Sequence, residues 1–403
     1  MSTQPLTSLV DALAVIRTLS EPLAEIKLPL TYALHSVLAQ PVTAPEDIPP
    51  FSRSAMDGYA LNEKKDTLTY SIQGEVHAGE THRTPLKAGQ CIRIATGAPI
   101  PAGTNRVIPK ELAQESGEDQ SVTFDHLPEP RFIRHAAEDA HAGDTLLAAR
   151  NPLTAGDLSL LATIGATSPV VFPLPVIAHL TTGDELVAPE ETLGPGQIRD
   201  SNSILVRSFL QSHHLLLQHQ SRSSDNSSDI SQWIEEQSEE SDVLLISGGA
   251  SVGPRDFPPQ LLQQAGFSCE FSRLNLRPGK PVFFGKRKDT YAFVLPGNPG
   301  SHLTVLRLLV LPLLQILCSR KNAIPRIQAQ VENSQTYSPN SRHTFLPGRL
   351  ERMENEYHVS LNTWRSSGDV VSLSRANCLV EIPSDTELSS PANCIPLFGD
   401  SLI

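Results

Sequence analysis

The strongest constraint on the fold is a repeating order of apolar strand, glycine-containing loop and helix that begins near Pro175. Three near-continuous apolar segments each end in a polar loop: Val176–Leu180 before Thr182–Glu185, Asp242–Ile246 before Ser247–Asp256, and Tyr291–Leu295 before Pro296–Pro299. Strands that are apolar on both faces and separated by helices are typical of a parallel sheet covered on both sides. The covering helices are predicted at Asn202–Ser212, Ile230–Glu240, Pro259–Ala265 and Ser301–Leu317.

Short alternations of apolar and polar residues flank this region and predict two β modules. The first lies between Ile48 and about Asp139, where segments such as Cys91–Ile94 are divided by Gly, Pro and Asn. The second follows Pro325, with strands predicted at Arg326–Val331, His343–Leu350, Tyr357–Leu361 and Leu379–Ile382. A first helix is predicted over Ser8–Leu19 from its helical spacing. At 403 residues, the chain is expected to form two or three packed units with small extra modules.

Charge and cysteine content argue against several classes of protein. A formal charge of −12 disfavours nucleic-acid binding, which requires clustered Lys and Arg. Five cysteines lie far apart and lack zinc spacing, which favours a reduced, cytoplasmic compartment. The N-terminus lacks a signal-peptide pattern. The most apolar stretch, Leu303–Leu317, is too short to span a bilayer and includes Arg307 and Pro312, so we interpret it as a buried helix and expect no membrane segment.

Two of the loops have the composition of an anion site. In Ser247–Asp256 the glycines remove Cβ atoms that would block a phosphate or oxoanion, and Ser247 and Ser251 add hydroxyl donors. The loop Leu295–Ser301 leads into the N-terminus of an apolar helix, where free N–H groups favour anions. A tight turn without a ligand explains either loop alone equally well. Neither loop has a nucleotide-triphosphate or dinucleotide motif.

Carboxylates occupy similar loop positions. Asp184 and Glu185 follow one strand, Asp225 precedes a helix, and Asp256 follows the double glycine. Magnesium takes one or two carboxylates together with substrate phosphates, so this pattern suits a metal-assisted phosphate reaction. Helix capping is the alternative, and on pattern alone it is favoured for Asp225.

Arg273, Arg277 and Lys280 alternate with apolar residues on a predicted strand and turn. Side chains on one strand face could direct these cations toward a common anion. A solvated strand face explains the same pattern, so both interpretations stay open.

A series of motifs in a specific order resembles the molybdopterin molybdenumtransferase family, which includes MoeA and the E domain of gephyrin. The likeness runs from about Pro49 to about Pro383. The segments that carry it are Ser54–Ala60, Arg93–Pro99, Glu138-Asp139, Thr182–Leu186, Asp200–Asn202, Ser247–Asp256, Pro278–Pro281, Leu295–Pro299 and, more weakly, Ser366–Asn377.

The resemblance implies a multi-domain architecture of α/β and β domains. Residues 1–24 would form an N-terminal helix that packs on the α/β domain, and residues 25–47 with 140–173 a small linking domain. Residues 48–139 would form an inserted β domain. Residues 174–322 would form a molybdopterin-binding three-layer α/β domain with a parallel-rich sheet, and residues 323–403 a C-terminal β barrel. The family is also expected to be homodimeric.

The reaction implied by the resemblance inserts molybdate into adenylylated molybdopterin, with Mg²⁺-dependent release of AMP. Both small molecules are substrates, and Mg²⁺ is the cofactor. Transient contact with the molybdopterin adenylyltransferase and with cofactor-accepting enzymes is expected.

The resemblance also assigns site residues. Six would be catalytic: Asp57, Thr96, Asp139, Glu185, Asp225 and Asp256. Glu185, Asp225 and Asp256 would also organise the metal, and Asp57 and Thr96 would reach the site from the inserted domain. The residues expected to bind the cofactor precursor are Ser247, Gly248, Gly249, Ser251, Gly253, Arg273, Arg277, Lys280, Pro296, Gly297, Asn298, Pro299, Ser301 and Ser367.

Two departures from the family pattern leave alternatives open. Arg273 and Arg277 replace common lysines, and a planar bidentate donor binds an oxoanion differently from a point charge. Asp369 places an acid where it would oppose an anion. One alternative is therefore a catalytically weakened paralogue that acts as a cofactor-binding or scaffold protein. Another is a molybdopterin adenylyltransferase, which has a similar α/β domain but usually stands alone.

Overall fold

A computed structural model of the chain describes residues 6–117, 120–127, 129, 131–249, 257–321, 323–332 and 337–398. The chain divides into two compact units. The first combines Met1–Ala39 with Val170–Ile403, and the second is Gln40–Pro169. The second unit is therefore an insertion in the sequence of the first.

The first unit begins with the predicted helix, α1 (Leu9–Leu19). The side chain of Ser8 caps it by accepting a hydrogen bond of 3.1 Å from the backbone N–H of Asp11. Leu9 and Ile16 are buried in the same apolar cluster as the central sheet. Two short strands follow, β1 (Ile26–Lys27) and β2 (Val37–Leu38).

The second unit is rich in β structure. Its elements are β3 (Val42–Thr43), β4 (Arg53–Ser54), β5 (Gly58–Leu61), β6 (Thr69–Val76), β7 (Gln90–Ile94), β8 (Arg106–Pro109), β9 (Ala113–Ser116), β10 (Ser121–Phe124), β11 (Ile133–Arg134), β12 (Thr145–Leu147) and α2 (Ala155–Thr163). Six strands form a sheet in the order β8-β5-β7-β6-β10-β9. The predicted β module is confirmed, but α2 was not predicted.

The α/β region of the first unit follows. Its strands are β13 (Val170–Phe172), β14 (Ile177–Thr182), β15 (Leu186–Val187), β16 (Ile198–Arg199), β17 (His219–Ser223), β18 (Val243–Ser247), β19 (Phe271–Arg273), β20 (Leu276–Arg277), β21 (Pro281–Arg287) and β22 (Thr290–Leu295). Its helices are α3 (Asn202–Ser212), α4 (Ser227–Glu240), α5 (Pro258–Gln264), α6 (Pro299–Val305), a π-helical turn (Leu306–Val310) and α7 (Leu311–Leu317). β13 pairs with both β1 and β2.

The central sheet has the strand order β17-β14-β18-β22-β21-β19. The first four strands are parallel, β21 runs antiparallel to β22, and β19 runs antiparallel to β21. The sheet is thus parallel-rich, as the fold class predicts, and not wholly parallel. Alternate residues of β18 pack on opposite sides: Leu245 lies in one buried cluster and Leu244 in another. Helices therefore cover both faces.

The helical run Pro299–Leu317 lies in the core of the first unit. By length and composition alone this helix could cross a membrane, but 83% of its most apolar window is buried inside the protein. The burial confirms the interpretation of a core helix, which begins two residues before the predicted start.

The C-terminal region forms a barrel. Its elements are β23 (Ile327–Val331), β24 (His343–Met353), β25 (Glu356–Leu361), α8 (Val370–Ser374), β26 (Cys378–Ile382) and β27 (Ala392–Pro396). The strands run β24-β25-β23-β27-β26, and β26 pairs again with β24, which closes the ring. This confirms the predicted C-terminal β barrel. β20 also pairs with β24, joining the barrel to the α/β region.

A buried carboxylate in the barrel makes its stability depend on pH. Glu381 is 7% exposed, and it accepts hydrogen bonds of 2.6 and 2.9 Å from Arg326. Its carboxylate also lies 3.2 Å from Nε2 of His343. Burial acts to raise the pKa of Glu381, but its interactions with the nearby His343 and Arg326 outweigh burial and hold the pKa at about 2.

We expect Glu381→Gln to lower the free energy of unfolding by roughly 2 kcal/mol at pH 7. Because the pKa is below its ordinary value of 4.5, the contribution is full above that pH and is lost as the pH falls toward 2. Urea unfolding at pH 7 and pH 2 measures this, and the difference between the variant and the wild type should be largely gone at pH 2. The exposed Arg349–Glu351 pair supplies the control Glu351→Gln. An equal loss at both pH values would contradict the ionic origin.

Candidate active site

A cleft of about 1020 Å³ lies in the first unit. It is lined by Thr182 and Gly183 at the end of β14, by Ser247 and Gly248 at the end of β18, and by Pro296 after β22. These are the carboxyl ends of three neighbouring parallel strands, where open α/β sheets bind ligands. The three loops that the sequence analysis singled out therefore meet in one place.

Most of the predicted site residues of the first unit line this cleft. They are Glu185, Asp225, Ser247, Gly248, Gly249, Arg277, Lys280, Pro296, Gly297, Asn298, Pro299, Ser301 and Ser367. Ser251, Gly253 and Asp256 lie outside the described residues. Arg273 is on β19, where its carbonyl accepts a hydrogen bond from Thr7, and it is not among the described residues that line the cleft.

Two carboxylates reach the cleft from adjacent strand ends. Glu185 is exposed, and its carboxylate folds back so that a Cβ on Gly183 would lie 2.8 Å from Oε2. Asp225 donates its backbone N–H to Oδ1 of Asp184, 3.1 Å away. The cap of α4 is Asn226, whose side chain accepts the N–H of Ser228. The alternative interpretation of Asp225 as the helix cap was therefore wrong.

Cationic side chains from four segments line the same cleft: Arg199, Arg277, Lys280, Arg342 and Arg365. Arg277 and Lys280 flank the turn that follows β20. Arg342 comes from the start of the barrel, and it was not predicted. β20 pairs in parallel with β24, with Leu276 opposite His343 and Arg277 opposite Thr344. This pairing brings the start of the barrel beside Arg277.

The segment before α8 completes the lining through Trp364, Ser366 and Ser367. It is fixed to the start of α6, since the N–H of Gly300 donates to the carbonyl of Ser367 and the Asn298 amide donates to its hydroxyl, both at 2.9 Å. A Cβ on Gly300 would lie 2.9 Å from that carbonyl oxygen, so the contact requires glycine.

Contrary to the expectation from the sequence, Asp369 does not oppose an anion in the cleft. It is the N-cap of α8, and its Oδ1 accepts the backbone N–H of Ser372 at 3.0 Å. That hydrogen bond is the main reason that the pKa of Asp369 lies below its ordinary value. Among the described cleft-lining residues, Gly368 and Val370 are present and Asp369 is not.

Three predicted catalytic residues belong to the second unit. Thr96 donates from its backbone N–H and its hydroxyl to Oδ1 of Asp57, both at 2.8 Å. These two hydrogen bonds lower the pKa of the exposed Asp57 carboxyl. Asp139 pairs with Arg134. Within its own unit, the structure thus brings Asp57 and Thr96 into direct contact.

The two carboxylates in the cleft suit a magnesium ion that is bound jointly by protein and substrate phosphate. They do not form a site in which protein side chains alone surround the metal. Among the described residues no group of three or more His, Cys, Asp or Glu side chains could hold a metal. Glu185 and Asp225 nevertheless line one cleft, and Mg²⁺ typically takes one or two carboxylates with substrate phosphates and water. The donor set fits that mode of binding.

Comparisons with known proteins cover nearly the whole chain. Residues 7–165 match the MoeA N-terminal region (domains I and II). Residues 178–316 match a probable molybdopterin binding domain, and residues 331–391 match the MoeA C-terminal region (domain IV).

Individual relatives agree. The molybdopterin molybdenumtransferase of Haemophilus influenzae is 35% identical over 295 residues, 72% of each chain. The molybdenum cofactor synthesis protein cinnamon of Drosophila melanogaster is 30% identical over 93% of this chain and 63% of its own. Two structures of the molybdopterin biosynthesis MoeA protein from Pyrococcus horikoshii superpose with TM-scores of 0.77 and 0.70, at 26% and 25% identity. They cover 98% and 97% of this chain and 100% and 99% of their own.

A probable molybdopterin binding domain between the two MoeA regions, with a polar cleft at its strand ends, defines a multi-domain enzyme of molybdenum cofactor biosynthesis. The predicted fold class is confirmed. The chain belongs to the molybdopterin molybdenumtransferase family, as the motif series indicated.

Proposed function

We propose that this chain inserts molybdate into adenylylated molybdopterin and releases AMP with the help of Mg²⁺. The observation that carries the proposal is the meeting of acidic and basic side chains in one cleft at the ends of β14, β18 and β22. Glu185 and Asp225 supply negative charge for a cation, whereas Arg277, Lys280 and Arg342 supply positive charge for anions. A reaction between a phosphoanhydride and an oxoanion requires both.

Each part of the cleft then has a role. The glycines at 248, 249 and 297 let the ligand phosphate approach the backbone closely. The basic side chains of Arg277, Lys280 and Arg342 hold molybdate, since guanidinium and ammonium groups bind oxoanions with charge-assisted hydrogen bonds. Glu185 and Asp225 hold Mg²⁺, with Asp256 proposed as a third ligand. When bound there, Mg²⁺ would supply positive charge that neutralises the phosphate and eases the release of AMP.

The remaining assignments are proposals that rest on the family. Asp57, Thr96 and Asp139 are proposed as catalytic residues of the second unit, where Thr96 holds Asp57 and Asp139 pairs with Arg134. Arg273, Ser251 and Gly253 remain proposed ligand contacts. A homodimer, a cytoplasmic location, and transient contact with the adenylyltransferase and with cofactor-accepting enzymes are proposed on the same basis.

The test is reconstitution of the reaction from purified components. Protein, adenylylated molybdopterin, Mg²⁺ and molybdate are mixed, and AMP is quantified together with the ability of the product to activate a cofactor-free molybdoenzyme. We expect AMP release that depends on both molybdate and Mg²⁺. Binding of the substrate without molybdate-dependent AMP would contradict the proposal and favour a scaffold role, and adenylylation of molybdopterin with ATP would favour the adenylyltransferase alternative.

A further inference from the structure

A row of buried polar side chains interrupts the apolar core beside the cleft. On one face of the sheet, Val243 and Leu245 pack in the main apolar cluster. Toward the strand ends, the buried residues become polar at His179, Thr181 and Ser247, each at most 1% exposed. Thr181 and Ser247 line the cleft, whereas His179 is not among its described lining residues. Buried polar groups require partners, and here the partners fix where each proton lies.

The hydrogen bonds of Arg207 determine the orientation of the Gln220 amide and, through it, the tautomer of His179. Its Nε and Nη2 donate to Oε1 of Gln220 at 3.0 and 2.5 Å, which identifies Oε1 as the amide oxygen. The amide nitrogen of Gln220 therefore donates to the carbonyl of Ser203 at 2.8 Å and to Nδ1 of His179 at 3.3 Å. Because Nδ1 accepts, the single proton of the neutral imidazole must lie on Nε2.

His179 is neutral over the whole physiological range. Burial is the main cause, and the neighbouring His302 and Arg207 add to it, so that the pKa of His179 lies at about 3. Nε2 of His179 lies 2.6 Å from the hydroxyl oxygen of Ser247. The imidazole therefore donates to that oxygen, and the hydroxyl proton of Ser247 must point elsewhere.

We propose that His179 is a positioning residue that holds the Ser247 hydroxyl as a fixed hydrogen-bond donor to a phosphate oxygen of the ligand in the cleft. In the part of the chain that the structure describes, no protein acceptor takes the Ser247 proton, and Ser247 lines the cleft. Because His179 donates to the Ser247 oxygen, the Ser247 proton is directed away from His179. Phosphate oxygens accept such a hydrogen bond readily. The identity of the ligand rests on the proposed function.

A double-mutant cycle tests this coupling. The dissociation constant of adenylylated molybdopterin is measured by calorimetry, without molybdate, for the wild type, Ser247→Ala, His179→Leu and the double variant. Each single change should weaken binding about tenfold, and the double variant should also lose about tenfold, because both remove the same hydrogen bond. His179→Gln offers an amide donor in place of Nε2, and it should restore binding to within about threefold of the wild type.

A second measurement is independent of ligand and catalysis. In ¹⁵N-histidine-labelled protein, the His179 nitrogen shifts should report the Nε2–H tautomer, and Arg207→Met should disturb it. An Nδ1–H tautomer, or a double variant that loses about a hundredfold, would overturn the proposal. Binding without molybdate-dependent AMP release overturns only the proposed function. A wild-type protein that fails to bind adenylylated molybdopterin overturns both.

Discussion

Asp225→Asn and Glu185→Gln are each expected to lower molybdate-dependent AMP release by roughly 100-fold or more. Each change replaces a charged oxygen ligand by a neutral amide of nearly the same shape, so the cleft keeps its volume and loses affinity for magnesium. The fold should survive, because Glu185 is exposed and Asn226, not Asp225, caps α4. AMP release measured over a magnesium titration should show a raised half-saturating concentration and a lowered maximum.

Matched control variants distinguish the loss of a metal ligand from the loss of negative charge in general. Glu190 and Asp229 are exposed acids close in sequence to Glu185 and Asp225, and neither lines the cleft among the described residues. Glu190→Gln and Asp229→Asn should therefore keep wild-type release and magnesium dependence. If Asp225→Asn and Glu185→Gln turned over normally with an unchanged magnesium requirement, the two carboxylates would have no part in holding the ion.

The sequence predicted those helices and strands whose own residues show a clear apolar periodicity. The predicted helix Asn202–Ser212 has the same bounds as α3. Its apolar residues Val206, Phe209 and Leu210 recur at helical spacing and are buried. The strand ends with their glycine loops were also predictable, since a parallel sheet brings its carboxyl ends to one edge. Helical periodicity and the convergence of parallel strand ends together predict the position of most of the cleft.

Features that depend on pairing between distant segments were not predictable from local pattern. Arg342 lies in the cleft because β24 pairs with β20, and nothing around residue 342 signals that partner. The antiparallel pairing of β21 with β22 follows from a short reversal near Lys288 that periodicity does not detect. Helix α2 has a capping box formed by Thr154 and Asp157, with Asp in place of the usual Glu or Gln, and its weakly patterned sequence hid it.

The role inferred for His179 could not have been predicted from the sequence either. A single histidine within an apolar strand suggests a satisfied core residue, and its sequence neighbours give no other indication. Only the distances to Gln220 and Ser247 reveal that it links the interior of the sheet to the cleft. The sequence could predict Ser247 as a ligand contact, but the direction of its proton is a property of four segments that meet in space.

The second large effect is expected for Gly248→Ala, which should lower the free energy of unfolding by roughly 3 kcal/mol and abolish AMP release. Gly248 has φ +106°, and a Cβ there would lie 2.6 Å from the carbonyl oxygen of Thr182 and 2.9 Å from its Oγ1. The backbone of β14 cannot give way as a flexible side chain would. The ends of β14 and β18 must therefore separate, and both line the cleft. Urea unfolding and the AMP assay measure the two effects.

Substitutions at two other glycines separate the two causes of this loss of stability, which are the backbone conformation and the contact of the added Cβ. Gly266 has φ +90° with nothing within 4 Å of a Cβ, so Gly266→Ala carries only the conformational cost, about 1 kcal/mol. Gly297 also has open space around a Cβ and no positive φ, so Gly297→Ala should unfold like the wild type even though it lies in the cleft. If Gly248→Ala cost no more stability than Gly266→Ala, the contact with Thr182 would not be holding the strand ends together. The shape of the cleft at the ends of β14 and β18 would then tolerate a side chain at position 248.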